Sequence, residues 1–478
     1  MRGPAFPKTV GALAAFLLVA GVSLGTSSAA ATTGTDWPAY ERNNSHTSAI
    51  FGDPAVTTSN AGSLQRAWAF RAGRATKAGQ PGPGFDASAT VVGTTVYIGS
   101  RTGIFYALNA ATGSVLWKKQ LDYGSNTDCS AKGIVGTATV APDPQSGTPM
   151  VYAAGAHFVY ALNAATGARL WRHSVGPNTA TGEAGYFNWG SPTVDSGHVF
   201  EGLGANCDAI KVRGGVVSLD QHTGALRHTW YDAPVGKTGA TVWSSQGADG
   251  AHVWVTTGSP DPTGTSIYDA YSVVRLDEAT LAKQDEWTAP NSLTSDLDFG
   301  SSPTLFKATV AGVSTPLVGA CNKNGKFYTW RQSNLSAGPI WSRQVGQSGG
   351  TGNGACITSA AWDFQAQRLF VAANSTTING IQSAGGLRAL NPATGASLWE
   401  QSLPCLPNGS PTINSQVVAV SMYSCPTGVS PTVRIYRESD GQFLGSVPET
   451  GKTFAQPVFA HGMLFVAGED GTLTAYMP

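Results

Sequence analysis

Two stretches of the sequence decide the fold. Residues 96–117 read VYIGSRTGIFYALNAATGSVLW, and residues 151–171 read VYAAGAHFVYALNAATGARLW. Their matching leucines, Leu108 and Leu162, lie 54 residues apart. Weaker copies follow as VVSLDQHTG (Leu219), VVRLDEATL (Leu276), KFYTWRQSN (Trp330), LRALNPATGASLW (Leu390), VRIYRESDG (Tyr436) and LTAYMP (Tyr476). Eight copies spaced by 40 to 60 residues indicate a repeat architecture.

Each copy has apolar alternation, a polar Asn/Asp-x-x-Thr-Gly turn and a returning strand that usually ends in tryptophan, which is the pattern of a β-hairpin. Two more short strands precede most copies, such as GTATVA and MVYAAG before the second. Four strands per repeat make a propeller blade. We therefore predict an all-β, eight-bladed β-propeller of four-stranded antiparallel blades, formed as one domain by residues 32–478. The repeated tryptophans are predicted to pack between blades: Trp117, Trp171, Trp230, Trp341 and Trp399.

The two ends of the chain are predicted to meet in one blade. The last copy ends at Pro478 without an outer strand, and residues 64–70 (LQRAWAF) form an isolated strand that carries Trp68. We expect this N-terminal strand to pair outside the strand that ends at Tyr476 and to close the ring.

The N-terminus has the pattern of a secretory signal peptide. Arg2 and Lys8 precede an apolar run at residues 10–24, and small residues follow. We expect residues 1–31 to direct Sec-type secretion, and the apolar run is too short for a membrane span. Without Arg2 and Lys8, 27 basic residues stand against 29 acidic ones. This balance argues against a nucleic acid or an anionic membrane as partner.

The pattern YALNAATGxxxW, with the opening DWPAYERNNSHTSA at residues 36–49, resembles the repeats of the pyrroloquinoline-quinone (PQQ) dehydrogenases. The resemblance is greatest to the secreted polyvinyl-alcohol-dehydrogenase-like branch of the quinoprotein alcohol dehydrogenases. It implies an oxidoreductase that holds PQQ and Ca²⁺, oxidises an alcohol, polymer or sugar, and passes electrons to a separate acceptor. The same repeats also occur in non-catalytic propellers, so an extracellular binding or scaffold module is the alternative.

The resemblance also implies roles for residues between the repeats. Asp298 would be the catalytic base, and Lys323 the cation at the quinone oxygens. Three positions are implied as cofactor-binding: Trp243 as the aromatic platform, with Lys132 and Arg213 as counter-charges for the cofactor carboxylates. Three positions are implied as metal ligands: Asp208, Ser259 and Asp261. Asp296, in the same Gly/Ser-rich loop as Asp298, is expected to make local turn hydrogen bonds.

Blade topology gives a prediction that does not depend on the family. In an antiparallel blade, the start of the innermost strand and the end of the second strand lie on the same face of the ring. Six candidate residues come just before apparent first strands or just after apparent second strands, so we expect them on one face near the central channel. Those before first strands are Trp243 and Asp298, and those after second strands are Asp208, Ser259, Asp261 and Lys323. The six cysteines follow the same rule. We predict the disulfides Cys129 with Cys207, Cys321 with Cys356, and Cys405 with Cys425.

The sequence departs from the family pattern at several positions. Asp208 stands where the family usually has glutamate, and Ser259 where asparagine is expected. The chain has no adjacent Cys-Cys pair, which several family members place over the quinone. It also has no Cys-x-x-Cys-His motif, so we expect no c-type haem. These departures leave the binding of PQQ and Ca²⁺ as expectations.

Overall fold

The computed structural model describes residues 1–3, 34–53, 55–73, 82–123, 133–176, 185–205, 212–261, 266–290, 296–347 and 354–478. These residues form strands and turns and no helix, so they include no helical segment able to cross a membrane. Apart from its first three residues, the predicted signal peptide lies outside the described residues.

The described strands form eight sheets, which are blades 1 to 8 of the predicted all-β propeller. Two strands near the N-terminus join sheets formed by the end of the chain: β1 (Ala49–Ile50) and β2 (Gln65–Arg71). The strands of blades 1 to 4 are β3 (Thr90–Val92), β4 (Thr95–Gly99), β5 (Ile104–Asn109) and β6 (Val115–Gln120); β7 (Thr139–Pro142), β8 (Pro149–Ala154), β9 (Phe158–Asn163) and β10 (Arg169–Ser174); β11 (Tyr186–Phe187), β12 (Thr193–Asp195), β13 (His198–Ala205), β14 (Gly215–Asp220) and β15 (Leu226–Tyr231); β16 (Gly247–Ala248), β17 (His252–Thr256), β18 (Ser272–Asp277) and β19 (Lys283–Thr288). Those of blades 5 to 8 are β20 (Thr304–Val310), β21 (Val313–Cys321), β22 (Lys326–Arg331) and β23 (Trp341–Gln344); β24 (Ala361–Asp363), β25 (Arg368–Ile378), β26 (Ile381–Leu390) and β27 (Ser397–Leu403); β28 (Thr412–Asn414), β29 (Val417–Val420), β30 (Thr432–Arg437) and β31 (Phe443–Pro448); β32 (Val458–Ala460), β33 (Met463–Ala467) and β34 (Thr472–Met477).

Neighbouring strands within each blade are antiparallel, apart from β1, which pairs in parallel with β28 of blade 7. The repeat turn shapes the outer hairpin of the blade. In blade 1 the Asn109 side chain accepts hydrogen bonds from two backbone N–H groups of the turn, and Gly113 has a φ of 70°. Asn163 and Gly167 repeat this arrangement in blade 2. The side-chain hydrogen bonds reverse the chain, and glycine suits the left-handed position.

The repeated tryptophans pack between blades, as predicted. Trp117, on the outer strand of blade 1, donates from Nε1 to Ala164 O of blade 2 at 3.0 Å, and its ring covers Gly167. The same hydrogen bond to the following blade is made by Trp171, Trp341 and Trp399. Trp230 is buried in a cluster with side chains of blade 4.

Gly167→Ala is expected to destabilise the protein more than Gly147→Ala. Both glycines have nearly the same φ, 67° and 68°, so each alanine carries a similar left-handed strain of about 1 kcal/mol. A Cβ on Gly167 would lie 2.5 Å from the Trp117 ring, whereas a Cβ on Gly147 meets nothing within 4 Å. The crowding should cost about 1–3 kcal/mol more in the free energy of unfolding, measured with urea. Equal losses in the two variants would contradict a packing role for Trp117.

Blade 8 is built from both ends of the described chain. β2 pairs antiparallel with β34, with Trp68 opposite Ala475. Trp68 donates from Nε1 to Ala110 O of blade 1 at 2.9 Å, and its ring covers Gly113. The N-terminal strand is therefore the outermost strand of blade 8, and its tryptophan contacts blade 1 as the others contact the next blade.

A ring of side-chain oxygens, here called the hydroxyl belt, joins the blades around the axis. Its members lie just before the inner strands of blades 1 to 7, and each Oγ accepts a backbone N–H of the preceding blade at 2.9 to 3.1 Å: Ser88, Thr137, Ser191, Ser245, Ser302, Ser359 and Ser410. The donor to Ser88 is Gln456 of blade 8. The belt therefore links the blades at one level of the axis.

Residues 35–50, here called the axial segment, hydrogen-bond to all eight blades in order around the ring. Trp37 pairs with Val91 of blade 1, and Ser48 O accepts from Ile413 N–H of blade 7 at 2.8 Å. In blades 1 to 7 the contacted residue comes three positions after the belt residue, as Val91 follows Ser88. The axial segment therefore lies along the inner strands beyond the belt.

Candidate active site

Several chain segments meet at the start of the inner strands of blades 4 and 5. Backbone hydrogen bonds of 2.8 Å join residues 240–241 to residues 258–259. Lys323 N–H, just after the second strand of blade 5, donates to Asp298 O at 2.9 Å. The predicted residues Trp243, Asp298 and Lys323 are thereby brought together, as blade topology requires.

Asp298 is the centre of this cluster. Its side chain is 6% exposed, and Trp243 donates from Nε1 to Oδ2 at 3.1 Å. Lys323 Nζ lies 2.7 Å from Oδ1. Within the described residues, Oδ1 has no second donor beside Lys323. A buried carboxylate oxygen with free acceptor capacity is thus available at the site.

Lys323 lies between two carboxylates and an indole. Its Nζ is 2.8 Å from Asp296 Oδ1 and 5.2 Å from the centre of the Trp243 ring. Asp296 therefore pairs with Lys323, and it also accepts from Ser259 Oγ at 3.5 Å. The sequence had led us to expect local turn hydrogen bonds for Asp296, and this long-range ion pair differs from that expectation because the loop folds back over the end of β21.

Burial and charge act in opposite directions on the pair. Burial raises the pKa of the Asp298 carboxyl above its usual range, and the Lys323 ammonium opposes that rise. Burial alone would lower the pKa of Lys323, but Asp298 and Asp296 raise it above its usual value. Lys323 therefore stays charged, and Asp298 is a stronger base than an exposed aspartate.

Asp261 and Arg213 make hydrogen bonds and ring contacts outside the Asp298 cluster. Asp261 accepts a hydrogen bond from Thr238 Oγ1 at 2.7 Å. The Arg213 guanidinium lies 3.8 Å from the centre of the Tyr231 ring and donates to Ala233 O, at the end of the outer strand of blade 3. Lys132 and Asp208 lie outside the described residues.

Two of the three predicted disulfides are confirmed. Cys321 bonds to Cys356 with a Cα–Cα distance of 5.5 Å, and Cys405 bonds to Cys425 with a Cα–Cα distance of 4.3 Å. The third predicted pair, Cys129 with Cys207, lies outside the described residues.

Two glycines that shape the site were not recognised from the sequence. A Cβ on Gly300 would lie 2.6 Å from the Trp243 ring, and a Cβ on Gly354 would lie 2.5 Å from Lys323 Cγ. The signal for Gly300 was present, because residues 300–304 (GSSPT) repeat the GSPT found at residues 190–193 and 409–412. Gly354 lies in no such repeated stretch.

The hydroxyl belt and then the axial segment follow this cluster in the direction in which the inner strands run. Trp243 precedes the belt residue Ser245 by two positions, and Asp298 precedes Ser302 by four. At the level of the belt, Glu41 is fully buried and Tyr40 is half-buried, and both side chains lie near Ser359. The cluster therefore has a packed floor on the side of the axial segment.

The cluster places a cation and a flat aromatic surface beside a buried carboxylate. It consists of the Lys323 ammonium, the partly buried indole of Trp243 and the carboxylate of Asp298. Within the described residues, no group of three or more His, Cys, Asp or Glu side chains is arranged to hold a metal ion. Both carboxylates of the cluster, Asp296 and Asp298, are paired with Lys323.

Fold and site together define a β-propeller with a buried aspartate–lysine pair beside an indole, where the inner strands begin. The chain belongs to the PQQ family described as glucose/ethanol/alcohol dehydrogenase, beta-propeller domain, which matches residues 37–358. The resemblance seen in the repeats is thus confirmed. A second family, described as outer membrane protein assembly factor BamB, matches residues 383–477.

The chain is similar to two proteins named polyvinylalcohol dehydrogenase. It is 27% identical to that of Sphingopyxis sp. (strain 113P3) over 346 residues, which cover 61% of this chain and 48% of the relative. It is 26% identical to that of Pseudomonas sp over 443 residues, which cover 82% of this chain and 64% of the relative. The matches therefore span less than two thirds of the length of either relative.

A solved structure shares the fold. The quinohemoprotein alcohol dehydrogenase from Comamonas testosteroni superposes with a TM-score of 0.72 at 18% identity, over 93% of this chain and 82% of that one. At this identity the likeness shows the propeller fold alone.

Proposed function

We propose that this chain is a secreted quinoprotein alcohol oxidoreductase. The observation that carries the proposal is the cluster of Asp298, Lys323 and Trp243, in which a base, a cation and an aromatic surface lie within contact of each other. Alcohol oxidation by a quinone requires these three functions. Membership of the PQQ dehydrogenase family supports the same reaction class.

Each residue has a distinct task in the proposed reaction. PQQ, when bound, supplies the carbonyl that takes up two electrons from the alcohol. Asp298 accepts the hydroxyl proton of the substrate, and its burial gives it the basicity for this step. Lys323 keeps Asp298 ionised and offers positive charge to a carbonyl oxygen. Trp243 provides a flat face for a ring, and Lys132 and Arg213 would pair with carboxylates of the cofactor.

Ca²⁺ is the metal ion of the proposed site. Ser259 and Asp261 are the described members of the proposed ligand set, and Asp208 is the third member. The steps above are assigned to Asp298, Lys323 and Trp243, and none is assigned to the ion. Ca²⁺ is instead a variable in the experiment below.

The substrate and the location follow from the same family relationship. Both similar proteins are named polyvinylalcohol dehydrogenase, so a polymer with secondary hydroxyl groups is the first substrate to test. Small secondary alcohols and sugars complete the panel. Residues 1–31 would direct secretion, and electrons would leave to a separate acceptor.

Titration of the purified protein with PQQ, with and without Ca²⁺, tests the proposal directly. We expect saturable binding, seen as a change in quinone absorbance, and reduction of an artificial acceptor when an alcohol is added. Trp243→Ala should weaken PQQ binding by about fivefold, because it removes a stacking surface worth about 1 kcal/mol. Trp189→Ala is the control, since Trp189 lies on blade 3 and donates to Ala205 O. Equal affinity of both variants and the wild type would contradict a role for Trp243.

A scaffold is the second candidate function, and one observation favours it. Residues 383–477 match the outer membrane protein assembly factor BamB family. A protein that binds no PQQ and reduces no acceptor with any alcohol of the panel would support this reading over the enzyme.

A further inference from the structure

The Cys321–Cys356 disulfide lies beside Lys323 and joins blade 5 to blade 6. Cys321 ends β21 two residues before Lys323, and its partner Cys356 comes just before the inner strand of blade 6. Between them, Ala355 N–H donates to Lys323 O at 3.2 Å. The backbone of Lys323 is therefore held by a covalent bond and a hydrogen bond to blade 6.

The backbone next to Lys323 is also bonded to the loop that precedes the inner strand of blade 5. Lys323 N–H donates to Asp298 O at 2.9 Å. Ser301 Oγ accepts from Cys321 N–H at 2.7 Å and donates to Cys321 O at 3.0 Å. Lys323 is thus anchored to the loop that carries the carboxylate with which it pairs.

Gly354 restricts the side chain of Lys323. It has a φ of 55°, and a Cβ at this position would lie 2.5 Å from Lys323 Cγ. The stem of Lys323 packs against this bare backbone, and its side chain is only 9% exposed. A lysine has many rotamers in solution, so this packing selects the one that brings Nζ to Asp298.

We propose that the Cys321–Cys356 disulfide and Gly354 position the Lys323 ammonium on Asp298, and so control the ionisation of the candidate base. The name "base" rests on the proposed function, whereas the ion pair is independent of it. The charged groups that face Asp298 in the described residues are Lys323 and Asp296. A displaced ammonium leaves the negative charge of Asp296 unopposed, so Asp298 should take up a proton at higher pH.

The first variant is Cys321→Ala/Cys356→Ala in the protein without cofactor. We expect acylation of the Lys323 amine, measured by mass spectrometry, to become about tenfold faster, because the ammonium is no longer held in a buried ion pair. The pH midpoint of Trp243 fluorescence should rise by about one unit, a tenfold change in proton affinity, since its indole reports the protonation of Asp298. Subtraction of the Trp243→Phe signal isolates this residue from the other tryptophans.

A matched disulfide supplies the control. Cys405→Ala/Cys425→Ala removes a bond that joins the end of blade 6 to blade 7, where Leu406 and Ser424 pair. This variant should lose stability and leave the Lys323 acylation rate and the fluorescence midpoint unchanged. If the acylation rate and the fluorescence midpoint change in both double variants, the disulfides act through general stability. That result would overturn the proposal.

Gly354→Ala tests the positioning of Lys323 with the Cys321–Cys356 disulfide intact. It remains a test of the proposal if the first variant does not fold. Its Cβ should push the Lys323 stem aside, so the midpoint should again rise. An unchanged midpoint in this variant would overturn the positioning role. If the midpoint rises but the wild type binds no PQQ, the positioning stands and the proposed function fails.

Discussion

Asp298→Asn is expected to lower turnover with PQQ, Ca²⁺ and an artificial acceptor by about 100-fold or more. Asparagine keeps the shape of the side chain and can still accept the Trp243 indole hydrogen bond, but it cannot take the substrate proton. Affinity for PQQ should largely survive, because Trp243 and Lys323 remain. The measurement is turnover at saturating alcohol, together with PQQ affinity from the absorbance titration.

The same role predicts the pH dependence. Asp298 acts only when ionised, and burial raises its pKa, so turnover should fall as pH is lowered through that raised value. Asp440→Asn is the control, because Asp440 is exposed and pairs with Arg437 on the outer hairpin of blade 7. Turnover of Asp298→Asn within a few-fold of the control would show that another group accepts the proton.

The fold could be predicted because its information is local. The alternation, the Asn/Asp-x-x-Thr-Gly turn and the returning tryptophan lie within about 20 residues of each other, as in a hairpin. Trp117 and Gly167 show why the repeat also predicts packing. The tryptophan ring of one copy packs on the glycine of the next, where any side chain would collide with the ring. Even the pairing of β2 with β34 followed from counting strands, since the last copy lacked one.

The site was predicted only in part, and the reason is again physical. Blade topology places Trp243, Asp298 and Lys323 on one face, and the structure brings them into contact. Topology does not say which side chains pair, so the bond between Asp296 and Lys323 was not foreseen. The contact of Gly354 with Lys323 is made between blades 5 and 6. The periodic pattern within one blade therefore does not predict it.

The hydrogen bonds of residues 35–50 to the blades were also not predicted from the sequence pattern. This stretch has no strand periodicity, and its hydrogen bonds reach partners as distant as residues 248, 305 and 413. Four of its residues have positive φ without being glycine: Glu41, Arg42, His46 and Ser48. Such backbone angles cost energy and persist only where the surroundings fix them. The hydrogen bonds to the eight blades fix these angles here.

Removal of the axial segment is the second change from which we expect a large effect. A chain that begins at residue 55 lacks the axial segment and keeps β2, whereas a chain that begins at residue 73 lacks both. Each lost backbone hydrogen bond is worth about 1 kcal/mol, so the first truncation should remove several kcal/mol of a total stability of about 5–15 kcal/mol. The second should leave no cooperative unfolding transition, because it also exposes the edge of β34.

A chain that begins at residue 34 is the reference, and Trp68→Ala in that chain separates packing from strand pairing. This substitution keeps β2 but removes the ring that covers Gly113, so we expect a loss of about 3–5 kcal/mol. The free energy of unfolding in urea and the oligomeric state of each chain are the measurements. If the chain from residue 73 stays monomeric and unfolds at the same urea concentration as the reference, the inner strands hold the ring without either N-terminal element. If only the chain from residue 55 keeps the reference midpoint, β2 closes the ring alone and the axial segment serves as the floor of the site.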